Sequence, residues 1–257
     1  MLDQTLKATL AAKTLTVGSW LSLSDLDVCE MMAKSDFDWL VVDMEHSSIG
    51  LKEMSRMVQV IDLAGCCPLV RVGANDPLLI KQALEAGAEG IIVPMVNNVA
   101  EAKAAVSAAH YPPKGVRGVG LYRAQDYGAG FEAYQKKAAT NTVVIVQIEH
   151  RDAVNNLAAI MDVDGVDAFM VGPYDLSGSF GKPGDFDAPE TVEALAKVRD
   201  YCVSGAKAGG IHAVLNAGDD LSKRIDEGYR FIAYGSDMIF LSEKIQAEKR
   251  LISDVLG

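Results

Sequence analysis

Cysteine is scarce in this chain. Cys29, Cys66, Cys67 and Cys202 are the only four in 257 residues, and none forms a C-x-x-C pair. A bridge between the neighbours Cys66 and Cys67 is strained, so four reduced, mostly buried thiols are expected, as in a cytoplasmic protein. Long apolar runs are also missing. Stretches such as Gly90–Val96 have the length of a buried strand, far short of the roughly 20 residues of a membrane span. The N-terminal MLDQTLKATLAAKTL carries an early acid, interspersed lysines and no apolar segment of its own, so no signal peptide is expected. Positive charge is in the minority. Lys and Arg number 24 against 35 Asp and Glu, a net charge of −11. That balance excludes nonspecific nucleic-acid binding, which needs cations to replace counterions, but leaves room for a local basic pocket. No Pro/Gly/Ser-rich linker or low-complexity tract divides the chain, so one domain over residues 1–257 is expected.

What is present is a repeated unit. Apolar residues make up 49% and charged residues 23%, ordinary for a soluble globular protein and enough for a large core. Short β-branched runs alternate with Ala-, Leu- and Lys-rich helical stretches. Strands are expected at Val17–Leu21, Trp39–Asp43, Leu69–Arg71, Gly90–Val93, Val143–Ile148, Ala168–Val171, His212–Leu215 and Phe231–Tyr234. They read as apolar on both faces, like strands of a covered parallel sheet. Asp76 before Pro77 marks a helix start, and Gly87, Gly209 and Gly228 read as helix ends. Eight βα units in a chain near 250 residues point to a (β/α)8 TIM barrel, with a doubly wound open sheet as the alternative. One long connection, YPPKGVRGVGLYRAQDY at Tyr111–Tyr127, contains G-V-R-G-V-G. It neither follows a strand directly nor opens a helix, which argues against a phosphate loop.

In such a barrel, chemistry sits at the C-terminal ends of the strands. The second strand runs directly into Asp43, Met44, Glu45 and His46. Imidazole as a residue type suits acid–base work near neutrality; otherwise this is a solvated polar loop. The third strand ends at Arg71, either a two-pronged carboxylate binder or half of a structural ion pair. On the fifth strand Gln147 and Glu149 share a face, and Asp175 lies just beyond the sixth. Glu149 and Asp175, on adjacent lips, offer hard oxygen ligands for Mg²⁺, Mn²⁺ or Co²⁺, or else cap their helices. No expected strand end carries the lysine that a Schiff-base mechanism needs.

The chain resembles the HpcH/HpaI family of class II, metal-dependent pyruvate aldolases along essentially its whole length. The resemblance is carried by Gly18-Ser-Trp-Leu-Ser, F-D-W-L-V-V-D-M-E-H at Phe37–His46, P-L-V-R-V at Pro68–Val72, and N-D-P-L-L-I-K-Q-A-L-E-A-G-A at Asn75–Ala88. It continues in P-M-V-N-N at Pro94–Asn98, Y-P-P-K-G-V-R-G-V-G at Tyr111–Gly120, V-Q-I-E at Val146–Glu149 and V-G-P-Y-D-L-S at Val171–Ser177. The resemblance implies an aldehyde-lyase that cleaves a 4-hydroxy-2-oxo acid to pyruvate and an aldehyde through a metal-stabilised enolate. It implies Glu149 and Asp175 as metal ligands and His46 as acid/base, partnered by Asp43. Arg71 and Gln147 are implied at pyruvate, with backbone N–H groups around Gly172 and Tyr174 receiving its carboxylate. Leu215 is implied on the acceptor side. Many relatives have alanine where this chain has Tyr174. The resemblance further implies a homohexamer of domain-swapped dimers, exchanged through the C-terminal helix; the apolar spacing of 239–256 also fits packing onto the chain's own barrel. A CoA-thioester lyase of the citrate/malyl-CoA type and a noncatalytic oxo-acid-binding barrel are the alternatives.

Overall fold

The computed structural model describes residues 4–214 and 218–256. Eight parallel strands close on themselves, each pairing with the next and the last with the first. They are β1 (Thr16–Leu21), β2 (Trp39–Asp43), β3 (Cys67–Arg71), β4 (Gly90–Val93), β5 (Val143–Ile148), β6 (Ala168–Val171), β7 (Ala208–Ala213) and β8 (Phe231–Ser236). The (β/α)8 barrel is therefore present, and the open-sheet alternative is not.

Each strand is apolar on both faces because both faces are covered. Leu40, Val42, Val70, Ile91, Val144, Val146 and Ile211 face the surrounding helices. Trp39, Val41, Leu69, Ile92, Ile145, Met170 and Phe231 fill the barrel. The helix Leu6–Ala11 adds Leu6 and Leu10 to that inner cluster. Trp39 stacks on Phe231 with ring centroids 4.1 Å apart, and its indole N–H donates to Thr16 Oγ1 at 3.1 Å. Farther along the strands the inward positions turn polar: Asp43 on β2, Arg71 on β3, Gln147 on β5 and His212 on β7. That switch builds the site.

The helix Pro77–Ala86 follows its sequence signals. Asp76 accepts the N–H of Leu78 and Leu79 at 2.8 and 3.1 Å, and Gly87 ends the helix at φ 105°. Asp76→Ala should cost about 1 kcal/mol. Urea unfolding should show this as a lower midpoint at unchanged slope; an unchanged midpoint would remove the cap's role.

Two expectations about β7 need correcting. β7 begins at Ala208 and ends at Ala213, and Gly209 lies inside it rather than ending a helix. The preceding helix stops at Ser204. The long connection Tyr111–Tyr127 ends in a short 3-10 turn, Arg123–Gly128, and a further helix, Phe131–Asn141, follows it before β5. Within that connection, the N–H groups of Gly115, Val116 and Arg117 donate to the backbone carbonyls of Tyr111, Ser107 and His110. Arg117 is buried against the Tyr111 and Tyr134 rings, with its guanidinium carbon 4.6 and 5.5 Å from their centroids. The first half of G-V-R-G-V-G is thus a turn whose backbone donors are already spent on the chain itself.

Candidate active site

Asp43 and Arg71 are register partners on β2 and β3. The guanidinium meets the carboxylate as a fork: Nε donates to Oδ1 at 2.9 Å and Nη2 to Oδ2 at 2.6 Å. Burial works to raise the Asp43 carboxyl. The Arg71 fork and the backbone N–H groups of Glu45 and His46 outweigh burial and hold it below the ordinary carboxylate range. The structural ion pair anticipated for Arg71 is therefore real, and its partner is Asp43. The third prong, Nη1, lies outside the fork, 3.4 Å from Glu45 Oε2.

The pairing of Asp43 with the His46 ring is not present. Asp43 Oδ1 accepts the backbone N–H of His46 at 3.2 Å, so it shapes the loop. The carboxylate near the imidazole is Glu45, with Oε2 3.7 Å from Nε2. His46 projects its side chain from the lip, 61% exposed. Burial raises the Glu45 carboxyl, Arg71 opposes the rise, and Glu149 adds to it.

Across the mouth, Glu149 follows β5 and is buried. Its Oε1 accepts the N–H of Met95 at 2.7 Å, and its Oε2 accepts from the Gln147 amide, as their shared face requires. Met95 presents that N–H from the left-handed region, at φ 53°. Burial pushes the Glu149 carboxyl up; the two hydrogen bonds oppose this, and Asp175 reinforces it. Asp175 lies in the first turn of the helix Pro173–Ser179 rather than in a free loop. Neither acid caps its helix through its side chain: His150 caps Arg151–Asn155, and Gly172 precedes Pro173–Ser179 without a side-chain bond.

Gly172 joins the two acids. A Cβ there would sit 3.0 Å from Glu149 Oε2 and 3.9 Å from Asp175 Oδ2. Both carboxylates thus border one small space that glycine leaves open. Gln147 Oε1 is buried nearby without a hydrogen-bond partner. Among the described residues, no group of three or more His, Cys, Asp or Glu is arranged to hold a metal. The pair with its gap nevertheless fits a hard divalent ion that keeps open positions for water and substrate.

Two further assignments are refined. The N–H of Gly172 already donates to Ile148 O at 3.2 Å. Tyr174 is exposed and lines a cleft of about 290 Å³ with Met95, Glu149, His150 and Asp175. Leu215 lies outside the described residues. Glu45, Trp20 and His212 were not singled out from sequence. Glu45 and Trp20 stand inside quoted motifs without a distinguishing spacing, and His212 reads as the first residue of a strand, at the end away from the site.

The lysine expectation holds at the C-terminal strand ends, which are Leu21, Asp43, Arg71, Val93, Ile148, Val171, Ala213 and Ser236. Burial lowers Lys207, but that residue precedes β7 and so lies at the opposite end of the barrel.

The family described as HpcH/HpaI aldolase/citrate lyase matches residues 16–243. A 4-hydroxy-2-oxo-heptane-1,7-dioate aldolase from Shigella sonnei (strain Ss046) is 38% identical over 249 residues, 96% of this chain and 94% of that protein. An HpcH/HpaI aldolase/citrate lyase family protein from Burkholderia cenocepacia J2315 superposes with a TM-score of 0.90 at 32% identity, covering 98% and 99% of the two chains. The HpcH/HpaI aldolase from Desulfitobacterium hafniense DCB-2 gives 0.86 at 27% identity, covering 96% of each. With its barrel, its strand-end carboxylates and a match across most of its length, the chain belongs to the HpcH/HpaI aldolase/citrate lyase family.

Proposed function

We propose that the protein is a metal-dependent class II aldolase, reversibly cleaving a 4-hydroxy-2-oxo acid into pyruvate and an aldehyde. The observation that carries this reading is the convergence of Glu149 and Asp175 on the space left by Gly172, across the mouth from Arg71. Glu149 and Asp175 would hold Mg²⁺, Mn²⁺ or Co²⁺, and the bound ion would supply Lewis acidity to the developing enolate.

The chain's own groups do the rest. His46 takes the proton from the 4-hydroxyl, and the C3–C4 bond breaks. Its electron pair passes into the C2–C3 enolate, and the aldehyde leaves. Arg71 offers fixed positive charge to the enolate through the prong that Asp43 does not occupy. Gln147, locked onto Glu149, lines the floor. The N–H groups of Tyr174 and Asp175, in a first helical turn, are the donors for the pyruvate carboxylate, since Gly172 has spent its own. The Tyr174 phenol borders the acceptor side, and Leu215 is assigned there on family grounds. Protonation of C3 then gives pyruvate.

The C-terminal helix Asp237–Leu256 supports the oligomeric part of the reading. Its start packs on its own barrel, with Phe240 against Tyr234 and Phe37, whereas Leu241, Ile245, Ile252 and Val255 farther along are exposed. We infer that this stripe meets a second copy, in a homohexamer of domain-swapped dimers. A cytoplasmic location is consistent with four free cysteines, three of them buried. Among the described residues, no helix is long and apolar enough to cross a membrane.

The test is a panel of 4-hydroxy-2-oxo acids assayed for pyruvate with coupled lactate dehydrogenase. Release from at least one member is expected. No release from any, with turnover of CoA thioesters instead, would replace the aldolase by the thioester lyase; neither would leave a noncatalytic barrel. Arg71→Lys should lower kcat by roughly 10²–10³-fold, the scale of losing one oxyanion donor. One terminal nitrogen cannot both pair with Asp43 and reach substrate. Normal cleavage by this variant would reduce Arg71 to an ion-pair residue.

A further inference from the structure

We propose that Trp20 is a positioning residue for Arg71, its indole face fixing the guanidinium plane at the barrel mouth. The proposal rests on the reading of Arg71 as the cation that contacts pyruvate and its enolate.

The geometry has two parts. Asp43 grips Arg71 along one edge, through Nε and Nη2. An edge contact leaves the plane free to rock about the two hydrogen bonds. Nη1, the prong outside the fork, moves most, and Glu45 Oε2, 3.4 Å from it, pairs with it by charge without a hydrogen bond. Trp20 supplies the missing restraint, because Arg71 Cζ lies 4.3 Å from its ring centroid. Edge and face contacts together hold the fork in one orientation.

The cost at Trp20 argues that its ring face matters. The side chain is 4% exposed, and its Nε1 is buried without a hydrogen-bond partner. An unpartnered buried N–H is unfavourable, and phenylalanine would fill an apolar space without it. What tryptophan adds is the strongest aromatic face for a cation in a desolvated place.

His212 backs the arrangement. Its ring centroid lies 5.9 Å from that of Trp20, tilted by 57°. Nε2 is 2.9 Å from Gly235 O, and a carbonyl only accepts, so Nε2 carries the proton. Burial, with Arg71 adding to it, holds this imidazole down at about 4; the Gly235 carbonyl and Asp43 oppose the shift. The ring that packs on Trp20 is therefore neutral near pH 7 and does not repel Arg71. Trp20, Arg71 and His212 come from β1, β3 and β7, three interior strand positions far apart in sequence.

The experiment compares wild type, Trp20→Phe, Trp20→Leu and Arg71→Ala, all saturated with divalent metal. It follows cleavage and the exchange of pyruvate methyl protons with deuterium. Trp20→Leu should slow both by roughly 10–30-fold, the scale of a desolvated cation–π contact. Trp20→Phe, which keeps an aromatic face, should stay within a few-fold of wild type. Guanidinium ion added to Arg71→Ala should restore exchange, but not in the Arg71→Ala/Trp20→Leu double variant. A further readout needs no change at Trp20. The chain has two tryptophans, and Trp39 stacks on Phe231 in the inner cluster, so Arg71→Ala should shift tryptophan emission through Trp20 alone. Unchanged emission would overturn the proposal. So would equal losses in Trp20→Phe and Trp20→Leu, or wild-type exchange in a folded Trp20→Leu protein while Arg71→Ala is crippled. A fully active Arg71→Ala would instead overturn the underlying reading of Arg71.

Discussion

Stripping divalent metal from the protein should abolish pyruvate release, and Mg²⁺, Mn²⁺ or Co²⁺ should restore it. The expectation comes from how the carboxylates are placed. Glu149 is buried, and Asp175 faces the same small space, so the Asp175 charge adds to burial in making ionisation of Glu149 harder. Two carboxylates held together without a cation are unfavourable, whereas the same pair around a divalent ion is not. Glu149→Gln keeps the shape and removes the charge, so calorimetric titration should show much weaker metal binding in a folded protein. The pH dependence has a definite sign. Burial and Asp175 raise the Glu149 carboxyl, so protons compete with the metal at higher pH than for an ordinary glutamate. Metal affinity should fall as pH is lowered through that raised value and recover above it. Full cleavage by protein verified metal-free by elemental analysis, or a borohydride-trapped substrate adduct on a lysine, would overturn the metal mechanism.

The barrel was legible in the sequence because its strands are locally consistent. β2, β4, β5 and β6 are apolar on both faces, β-branched, and bounded by turn residues, and they form where expected. β7 is the exception, and its cause is tertiary. Its Ala208-Gly209-Gly210 start has no strand propensity and reads as a helix ending. The barrel demands glycine there: a Cβ on Gly209 would meet Cys202 Sγ at 2.4 Å and Phe169 Cζ at 2.7 Å, and one on Gly210 would meet Phe231. The helix Leu6–Ala11 was missed because its role, adding Leu6 and Leu10 to the barrel's inner cluster, exists only once the barrel is closed. At the site, residue types at strand ends were visible, but their partners were not. Partnership follows register across strands. β2 and β3 set Asp43 beside Arg71, and the fork this permits occupies the carboxylate that the family resemblance assigns to His46.

His46→Ala should slow cleavage by roughly 10²–10⁴-fold, the usual contribution of a general acid–base group. Metal binding should be nearly unchanged, because the His46 ring neighbours Glu45, whereas the proposed ligands are Glu149 and Asp175. The backbone around the substitution should hold as well. Asp43 Oδ1 accepts the main-chain N–H of Glu45 and of residue 46, at 3.0 and 3.2 Å, and both bonds survive loss of the ring. The defect is therefore chemical and should fall on kcat. Glu45→Gln provides a graded companion. It leaves a side chain of the same size beside the imidazole but removes the carboxylate 3.7 Å from Nε2, so kcat should fall by less than in His46→Ala. If His46→Ala kept kcat within a few-fold of wild type, the proton would be handled elsewhere. The lip histidine would then be the solvated loop residue that its 61% side-chain exposure also allows.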